Sequence, residues 1–210
     1  MQTEGKGQWE KKWFSEPGKN LICSLVLRPS FLDISLQYLL NKCIASAVCN
    51  AVNILLKEPK AKIKWPNDIL INNRKVAGIL IENVLSGGHI VSSVAGIGLN
   101  VNQEKFPDEL PTAVSLIMET GSIIELEDVE AILCKEIEAG YLKLKAGNFY
   151  QISDSYDQSL WKKGEKVSFM CNNIPHWGEI TGVNNIGMLM IRNDKDEIGF
   201  HKHGEIVFNL

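Results

Sequence analysis

The chain has 210 residues, with 25 Asp+Glu against 22 Lys+Arg and a formal net charge of −3. That length suffices for one domain or one domain with a small appendage, and a composition 45% hydrophobic and 22% charged excludes a disordered or fibrous chain. The slightly acidic balance gives no global attraction to nucleic acid or anionic membrane, so any anionic ligand must be held by a local basic cluster.

No apolar run reaches the roughly 18–20 residues of a membrane span, and the opening MQTEGKGQWEKKW is too polar for a signal peptide. The expected compartment is the cytoplasm. The cysteines (Cys23, Cys43, Cys49, Cys134, Cys171) are odd in number, with no C-x-x-C pair and no zinc-type spacing, and read as small buried hydrophobes rather than a disulfide framework or metal site.

In chain order, residues 20–28 are apolar and β-leaning up to Pro29 and read as a strand. Residues 31–57 carry Leu36, Leu39, Leu40, Cys43, Ile44, Ala47, Val48, Ile54 and Leu55 close to a 3.6-residue period, which predicts a long helix. Strand signals follow at 62–65, 68–71, 76–82 and 89–101. They are broken by Pro66, Asn72-Asn73 and Gly87-Gly88, residues that accept positive φ in hairpin turns, so this stretch reads as an antiparallel meander. Helical spacing returns over 127–145, with acidic residues in the first turn. The polar stretch 151–158 reads as a linker. Beyond it, Val167-Ser-Phe, Gly178-Glu-Ile, Met188-Leu-Met-Ile, Ile198-Gly-Phe and Ile206-Val-Phe recur roughly every ten residues, as in a small SH3-type barrel.

Three segments carry more than packing requires. Gln2-Thr-Glu-Gly-Lys-Gly-Gln-Trp-Glu-Lys-Lys-Trp13 combines glycines, which let backbone approach a phosphate, with lysine countercharge. Lys64-Trp-Pro-Asn-Asp68 presents polar side chains at a proline-fixed strand end. Arg74-Lys-Val-Ala-Gly-Ile-Leu-Ile-Glu82 opens an apolar strand with Lys75 and places Gly78 inside it, the mark of a bulge or a close approach.

Together and in this order, with Gly96-Ile-Gly-Leu-Asn-Val-Asn102 behind them, these segments resemble the catalytic domain of biotin protein ligase. The resemblance runs over essentially the whole chain. It implies an α+β fold: a mixed or antiparallel sheet packed with helices, of the class II synthetase-like kind, over residues 1–158, and an SH3-like barrel over 159–210. It also implies a two-step reaction, in which biotin and MgATP give biotinyl-5′-AMP and pyrophosphate, and a lysine of a biotin carboxyl carrier protein then takes the biotin.

Residue by residue, Lys75 matches the family lysine between biotin carboxylate and α-phosphate, and Asp68 the aspartate that orients or deprotonates the incoming lysine. Lys6, Gly7 and Gln8 match the loop that closes over the adenylate. Gln2, Gly5 and Gly78 match the biotin pocket, Trp13 an aromatic wall, and Asn20 and Asn100 positions near adenine or ribose. Lys64 and Asn67 join the binding set through their motif. ATP and Mg2+ come as the substrate complex, with no protein metal cage and no tightly bound cofactor.

The sequence also departs from the family. Its loop reads Gly5-Lys-Gly-Gln-Trp-Glu-Lys11 where relatives are arginine-rich, losing bidentate forks at Lys6 and Gln8 and adding a negative charge at Glu10. A looser grip on the adenylate is expected. No Ser/Thr-Thr-Asn biotin-binding signature precedes Gln2, so an incomplete, poorly biotin-binding pocket is expected, and no DNA-binding helix-turn-helix. Alternative readings are an inactive paralogue serving as a binding or dimerisation module, and a lipoate or octanoate ligase of the same fold. The resemblance also implies a homodimer formed through the exposed sheet. His176, His201 and His203 read as surface loop residues rather than metal ligands.

Overall fold

In the computed structural model, which describes residues 5–6 and 12–208, the chain starts as a short antiparallel ribbon of β1 (Gly5–Lys6) and β2 (Lys12–Trp13). Gln2, Gly7 and Gln8 lie outside the described residues. The first sheet contains β3 (Leu21–Leu27), β4 (Ala61–Lys64), β5 (Asp68–Ile71), β6 (Arg74–Ser86) and β7 (His89–Leu99), in the order β3-β7-β6-β5-β4 with every neighbour antiparallel. β4 to β7 form the expected meander. Its tight turns are Asn72-Asn73 (φ 50° and 64°) and Gly87-Gly88 (φ 58° and 81°), paired positive-φ residues whose twist matches that of the strands they join.

Helix α1 (Gln37–Leu56) packs against this sheet. It begins six residues later than the periodicity predicts, because Asp33 caps a separate 3-10 turn (Ile34–Leu36), its Oδ1 accepting from the Ser35 amide at 2.8 Å. Contrary to the sequence reading, the segment Ile34–Leu56 is long and apolar enough to cross a membrane, with a mean hydropathy of 1.5. In this fold 67% of it is buried, as a core helix between the sheet, α3 (Leu126–Lys145) and α4 (Phe149–Ser159). A one-turn helix, α2 (Leu116–Thr120), precedes α3. On α3 the buried residues Val129, Leu133, Ile137 and Leu144 form one stripe, with Glu127 and Asp128 in the first turn and Lys143 and Lys145 in the last, where the macrodipole favours them.

The stretch 151–158 is not a linker: it lies within α4. Gln151, Asp154 and Gln158 are exposed and Asp157 half-buried, while Ile152 and Tyr156, one turn apart, are buried. Two apolar residues among so many polar ones leave too weak a period to read from sequence.

All five expected C-terminal strands form: β8 (Lys166–Cys171), β9 (Ile174–Val183), β10 (Leu189–Arg192), β11 (Ile198–His201) and β12 (Ile206–Phe208), in the order β11-β10-β9-β8-β12. The sheet curls, since the Phe169 ring of β8 reaches His201 of β11 at 5.5 Å. Among the described residues, however, no pairing joins β11 to β12. The second sheet docks through Trp161, whose amide donates to Ile63 O at 2.8 Å and whose indole donates to Asn73 Oδ1 at 2.7 Å. The thiols are all free. Cys43 and Cys49 are buried, and burial pushes both up to about 12; Cys23 and Cys171 are half-buried, and Cys134 is exposed, against the expectation for it.

Candidate active site

The pleat of the first sheet decides which side chains meet. One cross-strand row, Ile63, Ile69, Ala77, Leu99 and Leu21, is buried beneath the helices. Because neighbours along a strand point to opposite faces, the next row lies on the open side: Lys64 of β4, Asp68 of β5, Gly78 of β6, Gly98 of β7 and Ile22 of β3. Beyond it on the same face come Leu80, Gly96 and Ser24. Three glycines thus leave a strip of bare backbone across the centre of the open face.

Lys75 joins this face through a bulge. The β5–β6 register pairs Ile69 with Ala77 but Leu70 with Lys75, so Val76 is an extra residue, and Val76 and Ala77 are both buried. In a regular strand Lys75 would point the same way as Ala77, into the core; the inserted residue turns it toward Asp68. Its backbone is held from the other side as well, the amide donating to Thr112 O at 2.6 Å and the carbonyl accepting from Val114 N at 3.0 Å. Lys75 Nζ meets Asp68 Oδ1 at 2.6 Å, with both side chains still partly exposed.

The Trp13 indole lies on the glycine strip. A Cβ on Gly98 would stand 2.5 Å from Trp13 Cε2, and one on Gly78 would stand 3.1 Å from Trp13 Cζ3 and 3.2 Å from Lys75 Cε. Only glycine backbone leaves room for an aromatic plane here. Lys75 Nζ is 5.8 Å from the Trp13 ring, within cation–π range, and Trp13 Nε1 is buried with no partner among the described residues.

The residues singled out from sequence divide into two groups. Lys75 meets Asp68, Gly78 and Trp13, Asp68 is in register with Gly78, Lys64 is in register beside Asp68, and Gly5 is paired with Trp13 through the β1–β2 ribbon, next to Lys6. Asn67, Asn20 and Asn100 brace the surrounding connections. Asn67 Nδ2 donates to Ile79 O at 2.5 Å while Ile79 N donates to Asn67 O at 3.0 Å, stitching the turn before Asp68 to β6. Asn20 Oδ1 accepts from Val101 N at 3.0 Å, and its Nδ2 donates to Gln103 Oε1 at 2.6 Å. Asn100 Nδ2 donates to Val114 O at 3.0 Å; its Oδ1 is buried and unpartnered among the described residues.

Gly98 and Trp65 were not picked out from sequence. Each lies inside a segment the sequence singled out, Gly98 in residues 96–102 and Trp65 in residues 64–68, and that was the available signal. The histidines are not simply loop residues. His176 of β9 and His201 of β11 both pack on the Phe169 ring, and burial pulls His201 below its ordinary pKa; His203 meets Trp65 edge-on at 5.8 Å. Among the described residues no three His, Cys, Asp or Glu side chains converge as metal ligands.

The chain matches the biotin/lipoate A/B protein ligase family over residues 1–100. It is 33% identical over 202 residues to the bifunctional ligase/repressor BirA of Bacillus subtilis, and 29% identical over 198 residues to the biotin–[acetyl-CoA-carboxylase] ligase of Paracoccus denitrificans. The structure of the Aquifex aeolicus biotin protein ligase in complex with biotin and ATP superimposes with a TM-score of 0.80 at 28% identity, covering 99% of this chain and 85% of that one. Over nearly its whole length the chain is similar to these biotin ligases. The match covers 92% of this chain but 60% of the Bacillus protein, and 91% of this chain and 81% of the Paracoccus protein. The family-matched segment contains the whole open-face row together with Trp13 and Lys75.

Proposed function

We propose that this chain is a biotin–[carboxylase] ligase, and the observation that carries the reading is Lys75, ion-paired to Asp68 at 2.6 Å above the glycine strip. In the first step a biotin carboxylate oxygen attacks the α-phosphorus of MgATP, a P–O bond forms, and pyrophosphate leaves with the electrons of the bond that breaks. Two anions must meet, so a fixed cation between them offsets their repulsion and stabilises charge on the phosphoryl oxygens. Lys75 suits that role, since the bulge aims it and its backbone is held on both sides. In the second step the amine of a carrier lysine attacks the acyl carbon and AMP departs. The amine must shed a proton, and Asp68, released from Lys75 once the ligand's anionic groups occupy the ammonium, is the base or orienting group within reach. The flat strip and the Trp13 indole suit a thin apolar ligand and keep water from the mixed anhydride.

The same reading divides the chain into a ligase unit, 1–158, and an SH3-like unit, 159–210, supported by the two separate sheets and by the curl that brings Phe169 to His201. It sets the protein in the cytoplasm, with a biotin carboxyl carrier domain as macromolecular substrate. Self-association through the open face is supported by its exposed Val26 and Val84.

The test is to incubate the protein with MgATP and biotin, lipoate or octanoate and to identify the acyl-adenylate by mass, then to add a carrier domain and look for its acylation. Biotinyl-5′-AMP and biotinylated carrier are expected. An adenylate formed only with lipoate or octanoate, or none with any acid, overturns the proposal.

A further inference from the structure

We infer that Trp65 is a positioning residue, holding the turn that presents Asp68 by anchoring it to the C-terminal sheet; the inference rests on the ligase reading for its kinetic consequence. Three residues, 65–67, connect β4 to β5, and Asp68 is the first residue after them. Asn67 ties this turn to β6. On the other side Trp65 is 6% exposed, and its Nε1 donates at 2.9 Å to the carbonyl of Gly187, in the connection between β9 and β10. That connection is itself rigid. Asn184 Oδ1 accepts from the amides of Ile186 at 3.1 Å and Met188 at 2.8 Å.

The β9–β10 connection is also fixed to α1. Gly187 has φ +88°, and the Tyr38 ring occupies the space a Cβ would need. One turn further along α1, the fully buried Lys42 donates from Nζ to Val183 O at 2.7 Å. The Trp65 indole therefore bonds to a carbonyl whose place is set by a core helix, and the Asp68 turn is held at two points, β6 and the second sheet. The Lys75 ammonium meets Asp68, but its backbone is also held by bonds to residues 112 and 114, which neither anchor touches. Loosening the Trp65 anchor thus acts first on Asp68 and leaves the Lys75 backbone held.

The experiment compares Trp65→Phe, which keeps an aromatic ring and removes the donor, with Asn184→Ala, which loosens the β9–β10 connection from the far side without touching the Asp68 turn or the core. Single-turnover rates of biotinyl-5′-AMP formation and of transfer to the carrier are measured separately, together with hydrogen exchange of the segment 64–70. For Trp65→Phe we expect adenylate formation within about twofold of the parent, transfer slowed about tenfold at unchanged carrier KM, and faster exchange confined to that segment; Asn184→Ala is expected to shift both readouts in the same sense, by less. Equal loss in both steps, or no loss in either, overturns the inference. If the parent forms no adenylate, the ligase reading fails by itself. The anchoring is then judged by exchange alone, and unchanged exchange at 64–70 in both variants overturns it; should Trp65→Phe not fold, Asn184→Ala decides.

Discussion

Lys75 and the two glycines beside it divide the chemistry of the open face between a charge and an absence of side chain. Among the described residues the ammonium has one fixed anion, Asp68, and one aromatic neighbour, Trp13. Because the pair is partly exposed, its direct contribution to folding is small, roughly 0–1 kcal/mol, whereas the lost stabilisation of a phosphoryl transition state is of the order of 10²–10³ in rate. Lys75→Ala is therefore expected to lower biotinyl-5′-AMP formation by about 10²-fold or more, with a melting temperature close to the parent's, as measured by single-turnover assay and calorimetry. At Gly98, a methyl group would enter the volume of the Trp13 indole. Gly98→Ala is expected to cost about 1–3 kcal/mol through overpacking and to raise the KM for biotin more than that for the carrier. Denaturation and steady-state kinetics read the two effects, and a biotin KM equal to the parent's would show that the indole does not line the pocket.

At the scale of elements, the β6 bulge and the entry to α1 are each set by one residue. Asp33 caps the 3-10 turn before α1, and its bonds to Ser35 hold its carboxyl below the ordinary 3.8. A carboxyl depressed in the folded state contributes stability that is full above 3.8 and is lost as pH falls through its lowered value. Asp33→Ala should therefore melt below the parent at neutral pH, the gap closing as the solution is acidified below 3.8; thermal melts at a series of pH values check it. Element scale is also where sequence reasoning met its limits. Asn72-Asn73 and Gly87-Gly88 announce their hairpins because positive φ restricts residue choice. Gly78 marks a bulge or close approach in this strand, but nothing places the extra residue at Val76, since a single inserted residue in Lys-Val-Ala-Gly leaves the run apolar either way. Helix α4 stayed hidden because Ile152 and Tyr156 alone carry its buried face.

For the whole molecule, the junction between the two sheets gathers buried polar groups. Lys42 is buried over the Tyr156 ring and bonded to Val183 O, and burial pulls its pKa below 10.5 while Asp157 partly offsets that. Asp157 is pushed above 3.8, chiefly by burial. Between 3.8 and that raised value the folded state keeps a proton the unfolded chain has lost, so its contribution to stability falls as pH rises through the window. Removing the neighbouring cation raises the Asp157 carboxyl further and widens the window upward. Lys42→Met is expected to cost about 2 kcal/mol at neutral pH, as lost charge-assisted bonding, and less as pH falls toward 3.8, where a protonated Asp157 no longer needs the cation. Urea denaturation at two pH values tests this; a cost independent of pH would remove Asp157 from the account.

By itself the sequence determined the strands from β3 onward, the long helices, two hairpins and the family motifs, because these depend on local rules: period, turn conformation and contiguous residue types. It named Lys75, Asp68, Gly78 and Trp13 for the same reason, each lying within a motif. Only the tertiary structure decided that Lys75 faces Asp68 rather than the core, that Gly98 supplies the floor beneath Trp13, and that Trp65 reaches a carbonyl in the second sheet. Those facts depend on cross-strand register and on contacts between residues far apart in the chain, which no local pattern encodes.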